Sequence, residues 1–300
     1  MSVKKSTILL TVLLMAVALS YAQQRPAPPK TINVDVEVVL INATVTMPDG
    51  RFVTNLDKKS FQLWEDKVEQ KIEYFSSEDL PVSVGIIFDA SGSMSPYLGM
   101  ARSAAVTFLK MGDRSDEYFL VEFNDKPRIT VEFTSDISKL QNHLVFTAAK
   151  GLTALYDALY LGMDTVKKGV HPKKALLVVT DGEENHSRYS FSNVRDFVRE
   201  QDVQLYAIGP AAPLSSLAEL TGGRSFDASF RDLEDICMKI AVELKNQYMI
   251  GYRSTNESKD GRWRKVELRV TAPRGMPKLN VRGKSGYYAP TLESAPAANR

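Results

Sequence analysis

The chain has little cysteine: Cys237 is the only one in 300 residues. No disulfide can therefore form within it. It has little charge imbalance, with 38 Lys and Arg against 36 Asp and Glu and a formal net charge of +2. That argues against a dedicated nucleic-acid surface, which carries a strong basic excess. It lacks the signatures of common catalysts: no G-x-S-x-G elbow, no phosphate-binding P-loop and no H-E-x-x-H pair. Its three histidines are scattered without zinc-like spacing. Long apolar runs are missing as well, apart from one short stretch near the start.

That stretch runs from Ile8 to Leu19, behind Lys4 and Lys5 and ahead of Ser20-Tyr21-Ala22. A charged head, an apolar centre and a small-x-small site make a signal peptide, with cleavage expected after Ala22. A membrane anchor is the alternative, but a spanning helix needs about 20 apolar residues. No cysteine stands at the cleavage point, which argues against a lipid anchor there. The expectation is export, either periplasmic or secreted to the cell surface. Residues 23–30 are Pro-rich and read as a linker. Cys237 lies in the amphipathic stretch Leu233 to Ile240 and reads as a small buried residue. An intermolecular disulfide is the alternative. Without internal disulfides the exported chain must rely on its core, and its hydrophobic fraction of 44% permits that.

Hydrophobic periodicity divides the rest into three parts. From Ile32 to Thr46 apolar residues alternate with period two, a strand signal. Phe61 to Asp66 and Gln70 to Phe75 resemble a hairpin pair. From Pro81 onward, strand candidates (Val82–Phe88, Glu117–Phe123, Arg128–Phe133, Ala175–Thr180, Gln204–Ile208, Arg224–Phe226) alternate with helical stretches. This predicts an α/β fold: a doubly wound, mostly parallel six-stranded sheet. The second and third strands are joined by four residues, so they must form an antiparallel hairpin. After Lys245 the pattern returns to strands, with Asp260-Gly261 as a turn. The two β parts are expected to form one smaller β-sandwich into which the α/β domain is inserted. Two separate β appendages are the alternative. The predicted boundaries are 1–22 signal, 23–30 linker, 31–79 first β part, 80–246 α/β domain, 247–290 second β part and 291–300 disordered tail.

The segment richest in chemistry is Asp89-Ala90-Ser91-Gly92-Ser93, at the end of the first α/β strand. It puts one carboxylate and two hydroxyls on a tight loop, the oxygen set that hard divalent cations seek. In a doubly wound sheet of order 3-2-1-4-5-6, ligands bind where the first and fourth strands lie side by side. That order brings Asp181, after the fourth strand, next to Asp89. Gly151-Leu152-Thr153, ahead of a helix, falls on the same rim. The local alternative is that Ser91 and Ser93 cap the following helix and Asp181-Gly182 is only a turn. Asp157, Glu183 and Glu184 are expected to be local charge or helix-end stabilisation. His171 and the basic set Arg262, Arg264, Lys265 and Arg269 are expected to be solvated.

These motifs resemble the metal-ion-dependent adhesion site (MIDAS) of von Willebrand factor A (VWFA) domains. Ile86-Ile87-Phe88, Thr153-Ala154-Leu155-Tyr156-Asp157 and Val178-Val179-Thr180-Asp181-Gly182 extend the likeness. The flanks, including Phe61, Gln70, Thr221-Gly222-Gly223 and Gly286-Tyr287-Tyr288, resemble the secreted bacterial VWFA-related family typical of Acidobacteria. The resemblance implies that Asp89, Ser91, Ser93, Thr153 and Asp181 are metal ligands. The implied ion is Mg2+, with Mn2+ or Ca2+ as alternatives. It also implies a sixth position open to an Asp or Glu carboxylate of a protein partner. On this reading the chain is a binder, with no catalytic residues. A metal-dependent hydrolase on the same fold and a structural subunit of an envelope assembly, adding strands at the Tyr287-Tyr288 end, are the rival classes.

Overall fold

Val82 to Asp89 form strand β5, whose eight residues are all buried. Such a strand needs partners on both edges and cover on both faces. In the computed structural model, which describes residues 38–209, 212–227 and 232–291, it has all four. The segments expected as signal peptide and linker, the residues 31–37 of the first β part and nearly all of the tail lie outside the described residues.

Strand β5 pairs in parallel with β6 (Glu117–Phe123) on one side and β8 (Lys173–Val179) on the other. Beyond β8 come β9 (Gln204–Ile208) and β10 (Arg224–Phe226), and beyond β6 comes β7 (Arg128–Thr134). The order β10-β9-β8-β5-β6-β7 is the expected 3-2-1-4-5-6, with β7 antiparallel to β6. Period-two alternation sends Val84, Ile86 and Phe88 to one face and Ile87 to the other. The first face is covered by α1 (Leu98–Lys110), α2 (Ile137–Phe146) and α6 (Leu233–Lys245). The second is covered by α3 (Leu155–Val166), α4 (Phe191–Arg199) and α5 (Ala212–Thr221). Cys237 is buried on the inner side of α6, and burial pushes its thiol up to about 12. Among the described residues no helix is long and apolar enough to cross a membrane.

The remaining strands form two antiparallel sheets. One has the order β13-β1-β11-β4, from β1 (Val38–Thr46), β4 (Ile72–Ser76), β11 (Tyr248–Arg253) and β13 (Asn280–Arg282). The other has the order β14-β12-β2-β3, from β2 (Phe61–Glu65), β3 (Val68–Gln70), β12 (Trp263–Val270) and β14 (Gly286–Tyr288). Val39, Ile41, Phe61, Leu63, Tyr248, Ile250 and Val266 share one core between them. Strands from before and after the α/β domain pair directly, with Ile41 opposite Ile250. The chain leaves through β4 and returns through β11, which are neighbours, so the insertion begins and ends at adjacent strands.

Four expectations need correction. Phe61–Asp66 and Gln70–Phe75 do not form one hairpin. Strand β2 turns through Asp66 and Lys67, both at positive φ, into the short β3. Ile72 then carries the chain into the other sheet, where β4 pairs with β11. The Asp260-Gly261 turn likewise connects strands of different sheets. Arg264 is buried against Asp260 at 2.8 Å rather than solvated, and Arg269 stacks on Trp64. The Tyr287-Tyr288 end is tied down: Tyr287 donates to Glu65 at 2.8 Å, and Tyr288 packs on Trp263.

The α/β domain and the sandwich meet around a buried carboxylate, Glu243 of α6. It pairs with Arg282 of β13 and accepts from Tyr206 of β9 at 2.9 Å and from Thr44 of β1 at 3.3 Å. Gln247 donates to the Thr44 and Tyr206 hydroxyl oxygens, at 3.3 and 3.2 Å. Burial and the adjacent Glu243 hold the Tyr206 hydroxyl protonated far above its usual range. Removing one partner of a buried pair leaves a charge without compensation. Arg282→Met is therefore expected to lower unfolding free energy in urea by about 3 kcal/mol. Arg282→Met combined with Glu243→Leu is expected to cost less than Arg282→Met alone. A double variant no more stable than the single one would show that the buried charge is not what the arginine compensates.

Candidate metal centre

The carboxyl ends of β5 and β8 stop side by side, with Phe88 opposite Val179. One residue later the chain presents Asp89 on one strand and Thr180-Asp181 next to it. Asp89 is fully buried. One carboxylate oxygen accepts from the Ser91 backbone N–H at 2.8 Å, the other from the Thr180 hydroxyl at 2.6 Å. The Thr180 hydroxyl in turn accepts from the Gly182 N–H at 3.0 Å. Among the described residues no Lys, Arg or His side chain lies within 4.0 Å of Asp89. Burial pushes its carboxyl up to about 6, and the charge of Asp181 adds to that. The hydrogen bonds from Ser91 and Thr180 oppose the rise without cancelling it.

The hydroxyls of Ser91 and Ser93 are 3.1 Å apart. Neither caps a helix: the short 3-10 turn Gly92–Met94 and helix α1 both begin without a side-chain cap. The local alternative for these serines is therefore set aside. Thr153 reaches the same rim through backbone stitching. The Gly92 N–H donates to the Gly151 carbonyl at 3.0 Å, and the Lys150 N–H donates to the Ala90 carbonyl at 2.9 Å. Gly151 sits at φ +77°, and a Cβ there would lie 2.5 Å from the Asp125 carboxylate. That carboxylate accepts from the Leu152 N–H at 2.9 Å, so glycine alone fits the turn. On its other side, the Thr153 N–H donates to the Asn185 side chain at 2.9 Å. The Thr153 carbonyl accepts from the N–H groups of Asn185 and His186, both at 3.1 Å. Asp181 is partly exposed and, among the described residues, accepts one long 3.4 Å contact, from the Glu183 N–H.

Loops after β5, after β6, before α3 and after β8 thus interlock at one rim. The loops that carry Asp89, Ser91, Ser93, Thr153 and Asp181 are thereby brought to that rim. Sequence reasoning missed the groups that hold them: Thr180, Asn185 and Asp125. Only Thr180, adjacent to Asp181 at a strand end, had any local signal. Asp157 and Glu184 also do more than decorate the surface. Buried Asp157 accepts from the N–H groups of Arg188 and Tyr189, and Glu184 accepts from the Tyr156 N–H at 2.9 Å. Both are spent on fixing the loop that follows Asp181.

The donor set is all oxygen: two carboxylates and three hydroxyls. Among the described residues no group of three or more His, Cys, Asp or Glu is placed to hold a metal. The set therefore fits a hard cation that retains water, such as Mg2+, rather than zinc. Two like charges, one of them buried, also leave the rim short of positive charge.

Fold and rim together define a doubly wound α/β domain with an oxygen-lined switch point. Residues 84–184 match the family model described as von Willebrand factor type A domain, and all five rim residues fall within that span. Among solved structures the chain is similar to proximal thread matrix protein 1 from the mussel byssus. That match has a TM-score of 0.50 and 16% identity, and covers 60% of this chain and 51% of that one. It is also similar to an aerotolerance-related membrane protein from Bacteroides fragilis NCTC 9343, with a TM-score of 0.48 and 17% identity over 54% of this chain and 98% of that one. The vWF domain of the type V pili tip protein Mfa5 from Porphyromonas gingivalis gives a TM-score of 0.47 and 14% identity over 55% and 95% of the two chains. At such identities the likeness to the mussel protein is one of fold. No curated protein matches the chain.

Asp89 sets a pH prediction. Its carboxyl titrates near 3.8 when unfolded and near 6 when folded, so the fold favours the protonated form. In metal-free protein this contribution is complete below about pH 4 and is lost as pH rises through 6, for a total of about 3 kcal/mol. Asp89→Asn is expected to remove that fall and to be the more stable protein at pH 7.5 in chelator. Parallel urea-unfolding profiles for the two proteins from pH 4 to 7.5 would contradict the account.

Proposed function

We propose that the chain is an exported, non-catalytic binding protein of the secreted bacterial VWFA-related type. Asp89, Ser91, Ser93, Thr153 and Asp181 would hold a divalent cation at the rim. Mg2+ is the first choice and Mn2+ or Ca2+ the alternatives. A bound cation supplies an electrophilic contact for a carboxylate from a protein partner. The observation that carries this reading is the buried Asp89 carboxylate, near enough to Asp181 to feel its charge, with no cationic side chain within 4.0 Å among the described residues. Burying a carboxylate costs several kcal/mol unless a positive charge is brought to it. Ser91 is fully buried, so the partly exposed Asp181 and Ser93 are the groups that would leave that charge accessible from solvent.

A role without catalysis is supported by what the polar groups near the rim contact. The Ser91 hydroxyl faces Ser93 rather than an imidazole. His143 is engaged by Glu122 at 3.2 Å. A nucleophile and an oriented base within reach of each other are what a hydrolase would need. Localisation rests on the N-terminal signal pattern, which licenses export to the periplasm or beyond it.

The test is capture of partners from envelope extract by the mature protein in Mg2+, in EDTA, and with Asp89→Ala in Mg2+. The expected result is a bound species retained at least about tenfold better by wild type in Mg2+ than in either other condition. Capture indifferent to both chelation and Asp89→Ala would contradict metal-dependent docking. Hydrolysis of generic ester or phosphate substrates, dependent on Mg2+ and abolished by Asp181→Ala, would overturn the non-catalytic assignment.

A further inference from the structure

We propose that a cationic pocket beside the metal rim is a second contact point for the partner, and that it takes an acidic segment of a protein with interspersed apolar side chains. This rests on the metal-docking reading, in which another carboxylate of the same segment reaches the cation.

The pocket has a volume of about 230 Å³, and its lining includes Ala90, Glu122, Arg128, His143, Phe146 and Lys150. Two of these tie it to the rim. Ala90 lies between Asp89 and Ser91, and the Lys150 N–H bonds to its carbonyl at 2.9 Å, one residue before Gly151. A chain occupying the pocket therefore lies along the wall that carries the ligand loop. The lining is net positive, with Arg128 and Lys150 against the one acid Glu122. Arg128 and Lys150 are exposed and have no ion-pair partner within 4.0 Å among the described residues. Glu122, the single acid of the lining, is already engaged by His143 at 3.2 Å and by the Thr147 hydroxyl.

Apolar groups complete the surface. Phe146, at the last turn of α2, is 85% exposed, and Val145 before it is 61% exposed. Leu152, next to Thr153, is 46% exposed. One such side chain is ordinary, but an aromatic at the mouth of a cationic pocket makes an anchor with a charged surround. An acidic polypeptide satisfies both parts, with carboxylates for Arg128 and Lys150 and apolar side chains for Phe146. An anionic polysaccharide would satisfy only the charge.

The probe is a fluorescein-labelled octapeptide of alternating aspartate and leucine, read by anisotropy on the full mature chain in Mg2+. Arg128→Glu with Lys150→Glu is expected to weaken binding by about tenfold or more, with the residual binding still lost in EDTA. Phe146→Ser is expected to weaken it by about threefold. The matching asparagine–leucine peptide is expected not to bind. Affinity unchanged by the double charge reversal but lost in EDTA would overturn the pocket while leaving metal docking intact. Affinity lost on charge reversal but indifferent to EDTA would overturn metal docking and the two-point arrangement with it. No binding to wild type, or stronger binding of polygalacturonate than of the peptide, would overturn the choice of an acidic protein segment.

Discussion

Strand β5 imposes the governing constraint: it is buried along its whole length and ends in a carboxylate that is buried too. The apolar residues before Asp89 are held by parallel pairing on both edges and by helices on both faces, so the strand cannot slide to expose its end. A one-residue slip would also send Ile86 and Phe88 to the wrong face. The carboxylate is therefore fixed in a dry position and, among the described residues, stabilised by neutral donors, Ser91 and Thr180. Hydrogen bonds of this kind lower the cost of burial without neutralising the charge. The rim around it is organised as if that charge were the point. Four loops lock onto one another there through backbone bonds.

The sandwich is joined to the α/β domain by strand pairing and by one buried polar cluster. Its two central strands, β1 and β11, come from opposite ends of the α/β domain in sequence and pair over six residues. Helix α6 runs directly into β11, and Glu243 near its end is held at once by residues of β1, β9 and β13. The helix thus bridges the core under the rim and the core of the sandwich. Because β4 and β11 are adjacent, the inserted domain is anchored at both ends in one sheet. A chain without internal disulfides obtains its connection between parts from strand pairing and one buried polar cluster.

Much of the α/β domain was legible in the sequence, because a parallel sheet writes itself as short apolar runs separated by helical periods. The expected strands from Glu117–Phe123 to Arg224–Phe226 match the observed ones to within a residue or two. The juxtaposition of Asp89 and Asp181 followed only once the order 3-2-1-4-5-6 was assumed, an order that the sequence does not itself display and the structure has. What was not legible depends on contacts distant in sequence. Local alternation shows that Ile72–Ser76 is a strand but not which sheet it joins, so the sheet change after β3 was invisible. Arg264 is a local exception: it reads as surface charge although its partner Asp260 is only four residues away, because its burial comes from the surrounding fold. Asp157 and Glu184 look like solvated acids, yet their oxygens are consumed by N–H groups some thirty residues away. Asn185 belongs to no spacing pattern, although it holds Thr153 from two directions.

The account stands or falls on whether the five oxygens of the rim take up a divalent ion. Crystals of the mature protein grown with Mn2+, with data collected at the manganese absorption edge, would show it directly. The account predicts an anomalous peak at the rim, bounded by Ser91, Ser93, Thr153, Asp89 and Asp181, and its loss in crystals of Asp181→Ala. A rim without manganese at saturating Mn2+, or a peak that survives Asp181→Ala unchanged, would contradict it.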